Sequence, residues 1–483
     1  MEFSRVEKKS DQRTVTFTLS PTHVSYANTL RRLILTGVET IAFRADMTST
    51  GTTTDVVVKR NDTPMTNEML AARIGLIPLN VPEPQKWREN EYQFRLNVAG
   101  NADDIRHVTA SDFDVVRLSG LAASAPAGPI KPRTSSKQKS AKKRGGADEE
   151  DDDTNEENST NEENTEEKYT NEDLFSDEKD DTRVNTDLFF PPHPLTGQTC
   201  LIATLQHGSG SAQQRIELIA KATKGTGREH ARFSPVSQCS YEYTPDEDPV
   251  RIQEMFEAWM VNAKKAGAVE KGSEQYAMLD REFRTMQIKR CYKMDEATGD
   301  PYSYDFTVES IGILSVEYII RRACDVGEAM CARYVNLRTG TLPAEITISN
   351  ANCRLVGYDF LFRGHDHTLG NLLQTWLVQH HIEGNAQPKI KYAGFSVPHP
   401  LRDEMVVRIG VEDGEEATAR AAIAAAAQGC VGLFQEMRRA WLTAIGQPVP
   451  TPVPAPTGPV SQRRKIARPG IAAKPAVSIT KLT

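Results

Sequence analysis

The side chains with the clearest chemical potential lie in one short run, His365-Asp366-His367. Imidazole and carboxylate groups are ligands that zinc accepts in proteins. Three adjacent residues rarely converge on one ion, however, and no fourth ligand is evident nearby in the sequence. Asp366 is better suited to cap a helix that begins at Thr368, because its carboxylate can accept hydrogen bonds from the first free N–H groups of the helix. We therefore expect no metal site, with metal binding as the less favoured alternative.

A second run, Lys224-Gly225-Thr226-Gly227, has the composition of a phosphate-binding loop. It lacks the GxxxxGK[ST] spacing that arranges backbone N–H groups and a lysine around phosphates. The sequence also contains no GxSxG nucleophile motif and no HExxH zinc motif. We predict no catalytic residue, no cofactor and no intrinsic enzymatic activity.

The charge of the 483-residue chain is unevenly distributed. Residues 148–181 contain eighteen acidic residues and two lysines, so this stretch is more negative than the whole chain at −7, and the remainder is mildly basic. Together with the preceding basic and Ser/Pro-rich residues, it predicts a disordered charged loop at about 122–186. A solvated surface insertion is favoured, while self-association of the basic and acidic blocks or a charged tether stays possible. The Pro-rich, basic tail at 447–483 is also predicted to be disordered.

Cysteine usage and hydropathy indicate the compartment. The seven cysteines form no CxxC pair, and the polar start of the chain does not resemble a secretory leader. We therefore expect a reducing intracellular environment without disulfides. No apolar run approaches the roughly 20 residues that would cross a bilayer, so we expect no membrane association.

The elements that must position these residues occur in a repeated order of strand, helix, strand and helix. Alternating and helical periodicities predict these elements. In the first part they are strands at 13–19, 40–43, 55–58 and 304–309, a helix at 26–35 with Ser25 as N-cap and Gly37 as stop, a helix that ends near 73–79 and a helix at 313–323. In the second part they are strands at 354–362 and 405–411 and helices at 368–379 and 415–442. A Gly/Ser turn at 208–210 predicts a hairpin between strands at 199–205 and 214–220.

Four motifs in the first part resemble the third-largest subunit of eukaryotic RNA polymerase II and the archaeal D subunit. In order they are Ala27-Asn28-Thr29-Leu30-Arg31-Arg32, the run at 72–79 (ARIGLIPL), the run at 225–236 (GTGREHARFSPV) and Phe306-Thr307-Val308-Glu309-Ser310-Ile311-Gly312. Residues 354–442 resemble the eleventh subunit and archaeal L, with the more specific motifs HDHTLGNLL at 365–373 and YAGFSVPHPL at 392–401. Because these subunits are usually separate proteins, the chain resembles a fusion of the two, of the kind found in large DNA viruses.

The resemblance implies an α+β fold with two domains like the bacterial alpha-subunit N-terminal domain, each a small antiparallel sheet with two helices, that form an intramolecular pseudo-dimer. The first, third-subunit-like domain comprises 1–46 and 228–345. A mainly β insert domain occupies 47–227, and the eleventh-subunit-like domain 346–446. The family's zinc or iron–sulfur clusters are not expected, since no cysteine precedes Cys200 and none has cluster spacing.

Two groups of site residues follow from the resemblance. The intramolecular dimerisation residues are Asn28, Leu30, Ile34, Leu35, His367, Leu369, Gly370, Asn371, Leu372, Leu373, Trp376 and Leu377. Their apolar stripes suit burial between helices, and Asn28 and Asn371 suit hydrogen bonds at the crossing. The residues implied to contact the large subunits are Arg31, Arg32, Arg73, Gly75, Leu76, Pro78, Glu229 and His230. From the residues alone, helices that pack only within their own half and a solvated arginine pair remain open alternatives.

The implied function is that of a noncatalytic assembly platform of a multisubunit DNA-directed RNA polymerase. Its implied partners are the two largest subunits and small zinc proteins like the tenth and twelfth subunits, with DNA and RNA contacted only through the complex and no membrane. The implied location is intracellular: host cytoplasm or virion if the protein is viral, nucleus if it is cellular. The competing class is a free-standing regulatory protein that binds nucleic acid through its charged segments. Pairing within one chain and swapping between two chains both remain open.

Overall fold

A computed structural model describes residues 1–46, 54–118, 183–208, 213–263, 269–351 and 356–448. Residues 1–447 form one compact unit. Most of the predicted disordered loop and nearly all of the predicted disordered tail lie outside the described residues. The described end of that loop, from residue 183, begins with a strand, so ordered structure starts slightly earlier than the sequence predicted.

The described strands and helices follow the predicted order with additions. The strands are β1 (Glu2–Lys8), β2 (Thr14–Ser20), β3 (Glu39–Ala42), β4 (Val56–Asn61), β5 (Tyr92–Ala99), β6 (Arg106–Thr109), β7 (Asp114–Arg117), β8 (Arg183–Val184), β9 (Leu201–Leu205), β10 (Arg215–Ala220), β11 (Thr223–Thr226), β12 (Val236–Tyr243), β13 (Tyr304–Ser310), β14 (Ile346–Asn350), β15 (Gly357–Arg363), β16 (Tyr392–Ser396) and β17 (Glu404–Gly410). The helices are α1 (Val24–Thr36), α2 (Asn67–Gly75), α3 (Thr186–Phe189), α4 (Pro249–Ala263), α5 (Glu274–Glu282), α6 (Val316–Ala332), α7 (His367–Leu377) and α8 (Glu416–Ala444).

Two antiparallel four-stranded sheets form the frame. The first sheet has the order β1-β2-β13-β12, and the second sheet has the order β14-β15-β17-β16. Alternation in β2 turns Val15, Phe17 and Leu19 into the core, where each is at most 2% exposed. The predicted mixed α+β fold with small antiparallel sheets is therefore confirmed.

A helix layer, defined as α1, α6, α7 and α8, joins the two sheets. Helices α1 and α6 pack on the first sheet and α7 packs on the second, while α8 contacts β1 of the first sheet and β15 of the second. One hydrophobic core contains buried side chains from both sheets and all four helices. The halves at 1–345 and 346–446 therefore share a core, which each would otherwise expose to water.

The start of α1 differs from the sequence-based expectation. Its N-cap is His23, whose Nδ1 accepts a hydrogen bond from the backbone N–H of Ser25 at 3.2 Å. Ser25 was predicted as the cap, but it lies inside the helix with its hydroxyl turned to α7. Gly37 ends the helix as predicted.

The insert has its own core, built on the five-stranded sheet β4-β10-β5-β7-β8 and rich in aromatic rings. Ile41 and Phe43 belong to this core, so it begins a few residues before the expected boundary at 46. The predicted hairpin of β9 and β10 is wrong. Strand β9 pairs with β6, and β10 lies between β4 and β5 in a different sheet, because partners distant in sequence offer each strand a buried face that a local turn signal does not reveal.

The sequence reasoning missed a helical excursion between β12 and β13. Helices α4 and α5 enclose a small separate core around Phe256 and Phe283, whose ring centroids are 5.3 Å apart. This excursion lies inside the segment at 228–345 that was predicted as part of the first dimerisation domain.

By length and composition alone, helix α8 is long and apolar enough to cross a membrane, although the sequence predicted no membrane-spanning run. Half of its most apolar window is buried inside the protein. It packs along α6 and α7 and against both sheets. Its apolar face is therefore explained by the core of the fold.

Candidate helix interface and docking surface

Helices α1 and α7 meet at a buried polar contact centred on Ser25. Asn371 Nδ2 donates to Ser25 Oγ at 3.1 Å, and Thr375 Oγ1 lies 2.9 Å from the same oxygen. Ser25 and Thr375 are 5% and 8% exposed. Buried polar groups must be hydrogen-bonded to avoid a desolvation cost, so these contacts fix the position at which the two helices cross.

Arg32 of α1 makes a second contact across the crossing. Its Nε donates to Thr368 Oγ1 at 2.7 Å, and its guanidinium lies 3.2 Å from Asp366 Oδ2. Asp366 also caps α7 as predicted, accepting from the Thr368 backbone N–H at 2.8 Å. Burial by itself would raise the pKa of Asp366, but the hydrogen bonds from Thr368 and the nearby Arg32 outweigh it and hold this pKa below its usual range. Asp366 is therefore an anion that the other half of the chain neutralises.

Most apolar residues of the predicted dimerisation group are buried in the shared core. The fully buried members are Leu30, Ile34, Leu369, Leu372, Leu373 and Leu377. Leu35 and Trp376 are half-buried and pack against the same core. Trp376 also lies on Gly429 of α8, where a side chain would collide with the indole ring.

Three residues of the predicted group lie away from the crossing. Asn28 accepts a hydrogen bond from Arg31 Nε at 3.1 Å within α1 and makes no described hydrogen bond to α7. Gly370 faces the second sheet, where an added Cβ would come within 2.5 Å of the Phe395 ring. His367 is exposed beside the same ring. The α7 face that carries Gly370 and His367 covers its own sheet, because a helix in a layer must pack on both a sheet and a neighbouring helix.

The largest contact between the halves, that of α6 with α8, was not anticipated. Arg438 of α8 donates to Asp325 at 2.7 Å and to Glu328 at 2.9 Å on α6. The Phe434 ring of α8 lies over Gly327, where a Cβ would come within 2.6 Å of it. Sequence periodicity predicted both helices but gave no signal for their pairing.

Trp441 anchors the end of α8 in the first half. Its side chain is 0% exposed and lies beside Phe3 and Phe17 of the first sheet, at centroid distances of 5.1 and 5.4 Å. The indole Nε1 donates to the Glu317 carbonyl at 3.1 Å. A second-half residue thus completes the core of the first half.

Two further contacts join the halves near residue 365. Tyr334 Oη and His365 Nε2 are 2.6 Å apart, and Arg228 donates to the Gly364 carbonyl at 2.9 Å and to Asp403 at 2.8 Å. Burial, followed by nearby arginines, lowers the pKa of His365. His365 bonds Tyr334, Asp366 caps α7 and His367 lies at the surface, so the three neighbours point to different places. Among the described residues, no group of three or more His, Cys, Asp or Glu side chains is placed to hold a metal.

The glycines of the run at 224–227 serve packing. Gly225 lies against the Phe233 ring, where a Cβ would approach to 2.7 Å, and Gly227 lies against the carbonyl of Leu35. Close backbone approach, which only glycine permits at these positions, accounts for the composition that resembled a phosphate loop.

Six of the eight residues implied to contact large subunits, Arg73, Gly75, Leu76, Pro78, Glu229 and His230, come from two distant segments that the fold brings together. Gly75 at the end of α2 is buried, and an added Cβ would lie 3.1 Å from Arg232 Nη1. Arg232 donates to the Phe43 carbonyl at 2.9 Å, and its Nε is 3.1 Å from Nδ1 of His230. The 73–78 segment and the 229–232 segment therefore form one surface, which we call the α2 surface.

Side chains on the α2 surface differ in their freedom to bind a partner. Leu76 is 62% exposed, and Arg73 and Pro78 are also exposed, although one Arg73 nitrogen donates to the Leu201 carbonyl at 3.2 Å. Glu229 is paired with Arg44, and the hydrogen bond from Arg44 holds the pKa of Glu229 below its usual range. Arg32 lies at the helix crossing and not on this surface. Arg31 bonds Asn28 and lies beside Cys239 and Tyr241 in a groove along β12, so it is not part of the α2 surface either.

Comparison with known proteins gives the class. Two models with the description "RNA polymerase Rpb3/Rpb11 dimerisation domain" match the chain, one over residues 16–331 and the other over residues 358–440. The first match spans well over half of the chain. The chain belongs to the RNA polymerase Rpb3/Rpb11 dimerisation-domain family.

Similar curated proteins specify the relationship. The human "DNA-directed RNA polymerases I and III subunit RPAC1" is 24% identical over 341 residues, which cover 68% of this chain and 82% of that protein. The Arabidopsis thaliana "DNA-directed RNA polymerases II, IV and V subunit 3" is 24% identical over 327 residues, 64% of this chain and 83% of that protein. The Methanopyrus kandleri "DNA-directed RNA polymerase subunit Rpo3" is 38% identical over 76 residues, 16% of this chain and 24% of that protein. More particularly, the chain is homologous to subunit 3 of multisubunit DNA-directed RNA polymerases.

Proposed function

We propose that this protein is a noncatalytic assembly platform of a DNA-directed RNA polymerase, in which subunit 3-like and subunit 11-like halves are fused in one chain. The observation that carries the proposal is the core shared by both sheets and helices α1, α6, α7 and α8. Matches to the dimerisation family in both halves support the same reading. A fused chain fixes the ratio of the halves at one to one and gives them a high effective concentration.

The platform would present the α2 surface to the second-largest subunit. Exposed Leu76 and Pro78 beside exposed Arg73 offer an apolar centre with a cationic group, a composition suited to protein interfaces. Buried Gly75 lies close to the Arg232 side chain and so connects this centre to the 229–232 segment. Of the eight residues first assigned to large subunits, we now propose that Arg32 stabilises the helix crossing instead.

The proposed partners are the two largest polymerase subunits and small zinc proteins like the tenth and twelfth subunits. DNA and RNA would be contacted only through the complex, and no membrane is involved. The proposed location is intracellular. By analogy with fused subunits of large DNA viruses, we propose a viral polymerase that acts in host cytoplasm or is carried in the virion; a cellular polymerase would place the chain in the nucleus.

The test is affinity purification of tagged full-length chain at moderate salt, with mass spectrometry and a nonspecific RNA synthesis assay on the eluate. We expect two very large subunits and polymerase activity with the parent chain. The double variant Arg73→Glu and Leu76→Asp should lose both, while the matched control Arg60→Glu, which lies on edge strand β4, should retain them. A chain recovered alone that binds DNA in a salt-sensitive way would instead support a regulatory nucleic-acid-binding protein.

A further inference from the structure

A cleft of about 610 Å³ lies where the two halves meet beside the start of α1, and we call it the seam cleft. The first half contributes Thr22, His23 and the turn at 295–302, which precedes β13. The second half contributes Thr375 of α7 and Glu383 of the helical turn that follows α7. A cleft of this size at a junction of two domains is a common place for a bound group. The seam cleft shares no residue with the α2 surface.

The seam cleft is negatively charged. Asp295, Asp300 and Glu383 are among the described residues that line it, and no lysine or arginine is. The imidazole of His23 adds no positive charge near neutral pH, because burial lowers its pKa although the nearby Asp300 opposes this shift. Carboxylates gathered without a cation attract positively charged groups, so the chemistry of the lining favours a cationic ligand.

The Thr22 hydroxyl points independently to a ligand. Thr22 lines the cleft and is only 8% exposed, and its Oγ1 has no hydrogen-bond partner among the described residues. Buried hydroxyl groups are nearly always hydrogen-bonded, because burial without a partner costs free energy. A hydroxyl oxygen accepts hydrogen bonds, so a donor held in the cleft would satisfy this group.

Hydrogen bonds hold the walls of the seam cleft in place. The backbone N–H of Thr22 donates to the Tyr302 carbonyl at 2.9 Å, which ties the loop before α1 to the turn at 295–302. Across the seam, Tyr26 Oη donates to Gln379 Oε1 at 2.7 Å and so fixes the helical turn after α7. The hydroxyl and the carboxylates therefore surround one space before any ligand binds, which lowers the entropic cost of binding.

We propose that the seam cleft binds a cationic hydrogen-bond donor, a guanidinium or ammonium group, with the Thr22 hydroxyl as acceptor and the carboxylates of Asp295, Asp300 and Glu383 as counter-charges. An arginine or lysine side chain of a partner protein and a free polyamine both carry this chemistry. Because both halves form the cleft, the bound group would also stabilise their packing against each other.

The first experiment titrates the full-length chain with acetyl-arginine amide at low salt and follows the NMR signals of the probe. The control probe is acetyl-citrulline amide, in which a neutral urea group replaces the guanidinium. We expect saturable binding of the arginine probe and about tenfold weaker binding of the citrulline probe. Added salt should weaken binding, because the three carboxylates are exposed. Equal binding of the two probes, or no saturable binding of the arginine probe, would overturn the inference.

Two double variants test whether the probe binds in the seam cleft. Asp300→Asn with Glu383→Gln should weaken binding of the arginine probe about three- to tenfold, since two counter-charges are lost. The matched control, Asp104→Asn with Glu254→Gln, removes two exposed carboxylates outside the cleft and should leave binding unchanged. Equal losses in the two double variants would reflect only the net charge of the chain and would contradict a site in the cleft.

The Thr22→Val variant has two expected effects of opposite sign. It removes an unpaired hydroxyl, so the thermal unfolding midpoint of the free chain should stay the same or rise, because no hydrogen bond within the protein is lost. The arginine probe should bind at least about threefold more weakly, because its acceptor is gone. A lower midpoint with unchanged binding would show that the hydroxyl serves the fold and would overturn the inference.

The purified polymerase complex distinguishes the two sources of the cation. If a side chain of a partner protein fills the cleft, the complex should no longer bind the arginine probe that the free chain binds. If the source is a free polyamine, the complex should still bind the probe, and spermidine should compete with it. Each result supports the cationic site and identifies its source. Binding to the free chain needs no polymerase subunit, so its failure is distinct from a failure of the proposed platform function.

Discussion

Replacement of Trp441 by alanine tests whether the two halves form one cooperative unit. The side chain belongs to the second half, yet it lies within the first sheet against Phe3 and Phe17. It is 0% exposed, and its Nε1 bonds the Glu317 carbonyl. Trp441→Ala therefore removes a large buried ring and a hydrogen bond that both cross between halves.

The expected loss can be worked from these contacts. Deletion of a fully buried aromatic side chain costs about 3–5 kcal/mol, because its transfer free energy is lost and a cavity remains. Loss of the indole hydrogen bond to the Glu317 carbonyl adds about 1 kcal/mol. Trp441→Phe keeps one ring and most of the apolar area, so it should cost about 1–2 kcal/mol.

The assay is urea unfolding followed by far-ultraviolet circular dichroism, with a parallel thermal scan. Leu401→Ala is the control, because Leu401 is 89% exposed and its removal should change the free energy of unfolding by less than about 0.5 kcal/mol. A loss below about 1 kcal/mol for Trp441→Ala would refute the placement of this residue in the first half. Separate transitions of the first and second halves of the parent chain would refute the shared core, whereas a separate transition of the insert, which has its own core, would not.

Three further variants test other contacts between the halves. Arg32→Ala should lower the free energy of unfolding by about 1 kcal/mol, because its ion pair is one-third exposed and partly screened. The control Arg31→Ala should cost less than about 0.5 kcal/mol, and equal urea midpoints for the two variants would contradict this. Gly327→Val should cost about 1–3 kcal/mol in the same assay by colliding with Phe434, and unchanged stability would show that the ring can move away. Acidification from about pH 7.5 to 5.5 should destabilise the parent chain more than it destabilises the His365→Gln variant. The reason is that the histidine of the unfolded chain gains a proton near its usual pKa of 6.5, while burial lowers the pKa of His365 in the folded chain. Parallel profiles of unfolding free energy against pH would contradict the buried, neutral imidazole.

Local patterns predicted the elements of the helix layer well. The apolar spacing of α1 and α7 and the cap at Asp366 were read correctly, because a helix needs a core-facing stripe and an acceptor at its first turn wherever it packs. The turn signal at 208–210 was misleading. The choice of partner strand for β9 depends on residues more than 90 positions away, those of β6.

Site residues were predicted less evenly than elements. The family motifs indicated the correct helices, but neighbouring residues of one helix point in different directions. Arg31 thus lines a groove along β12 while Arg32 pairs with Asp366. Gly370 was predicted to lie at the contact between the two halves, but it lies against the Phe395 ring of its own sheet. Side-chain direction depends on the rotation of the packed helix about its axis, which a motif does not encode.

The sequence by itself determined the mixed α+β class, the repeated order of elements and the relationship to the Rpb3/Rpb11 dimerisation-domain family, because these depend on periodicity and on short motifs that are contiguous in the chain. Only the tertiary structure decided which charges meet across the halves, where α8 inserts Trp441, and that the 73–78 and 229–232 segments share one surface. These features join residues more than a hundred positions apart. Their pairing is set by how the sheets and helices exclude water from a common core, a property of the whole packed chain rather than of any segment.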